Sequence, residues 1–145
     1  MNLDDPFDLE RFRTAQQSVF ATALAELEAG RKQTHWMWFI FPQLRGLGHS
    51  STAQHYGIAS LAEARAYLAD PVLEERLREA TETVLAVDSQ SARELFGSPD
   101  DLKFRSSMTL FSLAAPANAR SPFHDALERY FEGVPDRSTL ALLES

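Results

Sequence analysis

The chain has 145 residues, no cysteine and a formal net charge of −7, with 44% apolar and 10% aromatic residues. That length and apolar content predict one domain with a buried core, and they exclude wholesale disorder. Without cysteine there is no disulfide frame, thiolate nucleophile or cysteine-ligated metal site. A pI near 5.0 excludes a surface built throughout to grip nucleic acid, which needs clustered Lys and Arg. The start, MNLDDPFDLE, is acidic and does not read as a signal peptide, and the longest apolar run, Trp36 to Phe41, is far short of a membrane span. These features predict a cytoplasmic protein that is not membrane-bound.

In chain order the punctuation is helical. Asp5-Pro6, Asp70-Pro71, Ser98-Pro99 and Ser121-Pro122 each place a side-chain acceptor before a proline, a favourable way to open a helix. Ser60 with Glu63 and Ser91 with Glu94 read as capping boxes, and Gly30, Gly97 and Gly133 stand where helices close. The stripes Leu9/Phe12/Phe20/Leu27, Leu73/Leu77/Ala80/Val84, Phe104/Met108/Phe111 and Phe123/Leu127/Phe131 keep a helical period. No run alternates with period two. The fold class predicted is all-α, about seven helices near 6–29, 60–69, 71–87, 91–96, 99–113, 122–132 and 137–144. The aromatic and glycine-rich segment 31–58 breaks this pattern. It is read as a short buried helix from Thr34 to Phe41, stopped by Pro42, then a loop through Gly46, Gly48 and Gly57.

Charge is unevenly spread. Residues 51–100 carry −5 and each flanking third −1, yet Ala29 to Ala62 and Leu102 to His124 contain no carboxylate. The first window holds Arg31, Lys32, Arg45, His35, His49 and His55, and the second holds Lys103, Arg105, Arg120 and His124. Facing each other, they would form a positive cavity that draws in an anion. The competing explanation is that an aromatic core segment excludes acids anyway.

Single residues carry similar alternatives. Trp36 and Trp38 could stack on a base or sugar, or simply fill the core. The spacings of His35, His49 and His55 match no metal-binding pair, whereas His35 or His49 could donate a proton or contact a phosphate. Gly46-Leu47-Gly48-His49-Ser50 could offer backbone N–H groups to a phosphate, or be a plain tight loop. Asp100, Lys103 and Ser107 share one helix face with Ser106 beside it. A Ser–Lys nucleophilic pair there competes with helix-terminal charge and backbone-bonded hydroxyls. Four hydroxyls, at Ser106, Ser107, Thr109 and Ser112, suggest a polar face turned inward.

His35-Trp36-Met37-Trp38-Phe39-Ile40-Phe41-Pro42-Gln43, followed by Gly46-Leu47-Gly48 and Ser50, resembles the signature of a bacterial family filed as domain of unknown function 1810, sometimes mislabelled calpastatin-like. Similar matches run through Tyr56, Ile58, Glu63-Ala64, Tyr67-Leu68, Pro71-Val72-Leu73, Arg76-Leu77, Phe96-Gly97, Asp100, Lys103, Ser106 to Phe111 and Thr139-Leu140. The chain departs from the pattern at Ala69-Asp70 before Pro71, where the family pattern has a histidine next to the proline. The resemblance implies a compact helical fold and brings no activity, substrate or cofactor.

The residues that carry it fall in the two acid-free windows. The expectation is therefore one pocket between 32–56 and 100–109 that binds a small anionic metabolite of nucleotide or sugar-phosphate type. Lys32, His35, Trp36, Trp38, Gln43, His49 and Tyr56 would line one side and Asp100, Lys103, Ser106 and Ser107 the other. Two alternatives stand beside it. One is a hydrolase of a nucleotide or glycosidic bond, with His35 or His49 as acid/base and Asp100 as partner. The other is a protein-binding module that exposes Trp36, Trp38 and Phe41 on a convex patch.

Overall fold

A computed structural model describes residues 5–87, 91–116 and 120–144. The elements are α1 Glu10–Gln17, α2 Phe20–Glu28, α3 Met37–Ile40, α4 Ser51–His55, α5 Leu61–Ala69, α6 Pro71–Ala86, α7 Ala92–Phe96, α8 Asp100–Ala114, α9 Pro122–Phe131 and α10 Arg137–Glu144. The fold is all-α. Among the described residues there is no strand, only a parallel bridge between Leu44 and Ile58. No described helix is long and apolar enough to cross a membrane.

Side-chain caps form where acceptors precede the helices. Ser60, Ser91 and Ser121 accept from the backbone N–H three residues on, and Asp70 accepts from Val72 and Leu73. Two expected starts differ. Asp5 takes the N–H groups of Leu9 and Glu10 ahead of α1 instead of capping a helix at Pro6. Ser98 does not cap α8; the Ser98–Pro99 bond is cis and Pro99 is the N-cap residue.

Among the described residues ten helices stand where about seven were expected. The segment 6–29 breaks at Ser18-Val19 into α1 and α2, because two weak helix formers meet there while the apolar stripe continues across. The aromatic helix shrinks to one turn, and the loop after it contains α4, capped by Ser50.

The centre of the molecule is α8. It packs against α5, α7, α9 and α10, while α6 lies against α2, α5 and α9. Phe104, Ser106 to Phe111 and Ala114 are all buried. Its inward hydroxyls mostly bond their own helix: Ser106 to Leu102 O, Thr109 to Arg105 O and Ser112 to Thr109 O. Thr109 also accepts from Asp136 N–H at 2.9 Å, which ties the chain ahead of α10 to α8.

The irregular segment is held by side chains donating to backbone carbonyls. Arg11 reaches His55 O, Gly57 O, Phe7 O and Asp8 O and pairs with Glu63 at 2.7 Å. Arg45 donates to Gln54 O and Gly57 O. The backbone passes so close here that a Cβ on Gly57 would lie 2.7 Å from Arg45 Cα. Gly57→Ala is therefore expected to lower stability by about 1–3 kcal/mol, the usual range for overpacking, read as a lower urea midpoint; an unchanged midpoint would contradict this packing.

Candidate ligand site

The site begins with a buried acid. Glu26 lies on the inward face of α2 with Ala23 and Leu27. Its carboxylate accepts from Gln33 N–H at 2.7 Å, Thr34 N–H at 2.9 Å, Thr34 Oγ1 at 2.6 Å and Trp36 Nε1 at 2.9 Å. Burial works against its ionisation, but the bonds from Thr34, Gln33 and Trp36 outweigh it and hold the carboxyl down at about 2. One side chain thus fixes the turn between α2 and α3. Lys32 N–H, bonded to Leu95 O at 2.7 Å, pins the same turn to α7.

Fixing this turn aims Lys32 at the start of α8. Its Nζ lies 2.8 Å from Asp100 Oδ2, donates to Thr34 O at 2.7 Å and stands 5.1 Å over the Trp36 ring. Asp100 Oδ1 receives Lys103 Nζ at 3.3 Å, one helical turn along α8, and that ammonium sits 4.5 Å over the Trp38 ring. A single carboxylate bridges two ammoniums, each laid on an indole. The Lys32 side chain is only 7% exposed, whereas Lys103 and Asp100 keep 26% and 20%. Lys103 is therefore the solvent-facing cation.

The structure brings Lys32, Trp36, Trp38, Asp100 and Lys103 together. Their depths differ from the expected pocket wall. Trp36 is 1% exposed with its N–H engaged by Glu26, so it is core that supports the site. Ser106 is buried on its own backbone, and Ser107 is fully buried with its hydroxyl unpaired. No hydrogen bond joins either serine to Lys103, so the Ser–Lys pair does not form.

Other candidates lie elsewhere. Tyr56 packs on Phe12, Phe39 and His55. It lines a different cleft, of about 360 Å³, with Asp8, Glu10, Arg11 and Thr14. Gln43 is half-buried, and His35 and His49 are exposed. Neither histidine pairs with Asp100, whose ion-pair partners are the two lysines, so the His–Asp acid/base pair of the hydrolase reading is not assembled. The convex patch required of a protein-binding module is also absent in that form, because Trp36 and Phe41 are each 1% exposed. Among the described residues no three of His, Asp and Glu converge as metal ligands.

Glu26 escapes a search for acid-free windows, because it stands just outside the first one, and Thr34 lies inside that window but carries no charge to mark it. The signal for Glu26 was an acid on the inward stripe of α2, where an unpaired carboxylate would be costly.

The family described as a protein of unknown function (DUF1810) matches residues 6–143. The chain is also similar to the crystal structure of the conserved hypothetical protein Rv1873 from Mycobacterium tuberculosis. The two share 54% identity with a TM-score of 0.93, over 97% of this chain and 99% of that one. No curated protein matches the chain.

Proposed function

The chain belongs to the DUF1810 family, and we propose that it binds a small anionic metabolite at the face where Lys103, Trp38, Asp100 and Lys32 meet. The observation that carries this reading is the Lys103 ammonium, held 4.5 Å over a half-buried indole and sharing Asp100 with Lys32. Two ammoniums share the one Asp100 carboxylate, which leaves the partly exposed Lys103 a cationic patch only partly neutralised by its contacts, on a protein of net charge −7. The field of such a patch draws anions. Lys103 has contacts to Asp100 and Trp38 and remains partly exposed, so an N–H remains for a ligand oxygen. The bound anion would be a phosphate or carboxylate, with the edge of Trp38 supplying apolar contact to the rest of the molecule.

A thermal-shift series with nucleotides, sugar phosphates and ADP-ribose tests this. A ligand that binds the native state raises the melting temperature by an amount that grows with its concentration. Lys103→Met is expected to abolish that rise. The free protein should lose little stability, because an exposed i,i+3 ion pair contributes about 0.2–0.5 kcal/mol. Failure of every anionic metabolite to shift the wild-type protein would overturn the reading. A large stability loss in Lys103→Met would make the residue structural instead.

A further inference from the structure

The carboxylate of Asp100 stands beside the Lys103 ammonium with acceptor capacity to spare. Among the described residues its partners are Lys32 Nζ, 2.8 Å from Oδ2, and Lys103 Nζ, 3.3 Å from Oδ1. An ionised carboxylate offers about four lone-pair sites, and the Asp100 side chain keeps 20% of its surface open. Although Asp100 begins α8, the helix makes no use of it. The N–H of Asp101 goes to Gly97 O, that of Lys103 to Pro99 O, and that of Leu102 to Pro99 O and Asp101 Oδ1. Lys32 is closed by contrast, because Asp100, Thr34 O and the Trp36 face surround its head. The open positions at this face are thus a donor on Lys103 and an acceptor on Asp100, side by side.

We infer that Asp100 selects the ligand: the site takes a phosphate monoester with a hydroxyl on a neighbouring carbon, as in a polyol or sugar phosphate. The phosphate oxygen accepts from Lys103 Nζ, and the hydroxyl donates to Asp100. The inference rests on reading this face as an anion site. A plain anion on Lys103 meets the Asp100 carboxylate across one ammonium and is repelled by it. A ligand donor turned toward Asp100 replaces that repulsion with a charge-assisted hydrogen bond. The donor is neutral, because Asp100 already holds two ammoniums and a third cation would face both. Phosphate suits a single ammonium, which acts as a point charge, whereas a carboxylate is matched best by the planar fork of arginine. Lys103 and Asp100 both act here in their charged forms, so binding requires no proton to move.

The test is an amide NMR titration of the full chain, read at Lys103 and at the Trp38 indole. The probes are glycerol 3-phosphate, n-propyl phosphate, O-phosphoethanolamine and inorganic phosphate; propyl phosphate has the same carbon chain and no hydroxyl. Glycerol 3-phosphate is expected to bind at least about tenfold more tightly than propyl phosphate, the effect of one hydrogen bond to a charged group. Phosphoethanolamine should bind no better than propyl phosphate. In Asp100→Asn the preference for glycerol 3-phosphate should shrink to about threefold or less, while propyl phosphate gains affinity as the repulsion disappears. Equal affinities of glycerol and propyl phosphates for the wild-type protein would overturn the inference and leave the anion site standing. That comparison is read on the wild-type protein and does not depend on the folding of the variant. A preference kept in full by Asp100→Asn, or tightest binding of phosphoethanolamine, would overturn it equally. If none of the four binds while a larger anion does, selection by Asp100 fails and the site stands. If no anion of any kind binds, both readings fall together.

Discussion

Replacing Glu26 with alanine is expected to lower stability by about 3–5 kcal/mol, because the donors it satisfies lose their acceptor at once. The Trp36 indole N–H is fully enclosed and has no other partner to turn to. The Gln33 and Thr34 groups can recover part of the loss by turning to water. Glu26→Gln keeps the shape but loses the charge-assisted bonds, and a smaller loss of about 1–2 kcal/mol is expected. The same carboxylate sets a pH dependence. Its folded value of about 2 lies below the ordinary 4.5, so its contribution is complete above the ordinary value and disappears as pH falls toward about 2. Urea midpoints of wild type and Glu26→Gln should therefore converge as pH drops. A gap that stays constant down to about pH 2 would contradict the ionised cradle.

Arg11→Ala is expected to cost about 3–5 kcal/mol, the range found when one partner of a buried ion pair is removed. The Arg11 and Glu63 side chains are 7% and 2% exposed, so the stranded carboxylate cannot be rehydrated without local opening. The loop carbonyls of His55 and Gly57 also lose a donor, although Arg45 still reaches Gly57 O. The double variant Arg11→Met/Glu63→Leu should lose less than Arg11→Ala alone, because no unpaired charge remains. Equilibrium urea unfolding of both variants checks this, and a double variant weaker than Arg11→Ala would show that the Ala59 N–H bond to Glu63, lost only in the double variant, outweighs relief of the unpaired charge.

Legibility in the sequence followed the range of the force concerned. Caps at Ser60, Asp70, Ser91 and Ser121 depend on atoms within three residues, so their spelling was sufficient. The break at Ser18-Val19 was hidden, because the buried positions Phe12, Gln16, Ala23 and Leu27 keep one period across it. The aromatic run offered too few residues for a period. Nothing in it distinguished buried Trp36 from half-buried Trp38; a carboxylate on α2 made that choice. Charge counting did indicate that Lys32 and Lys103 belong to one region, although Asp100, the carboxylate that joins them, stands just outside the second acid-free window. It also spread the site too widely. Tyr56 went to the Arg11 side and the serines of α8 to the core, since loop residues settle where their backbone carbonyls find donors.

Fluorescence titration compares the two indoles most directly, since Trp38 lies under Lys103 while Trp36 is sealed against Glu26. If this face binds anions, phosphorylated metabolites will change the wild-type emission along a saturable curve, and both Trp38→Phe and Lys103→Met will lose the response. An equal saturable response in Lys103→Met, or a flat titration of the wild-type protein throughout the series, would contradict the account.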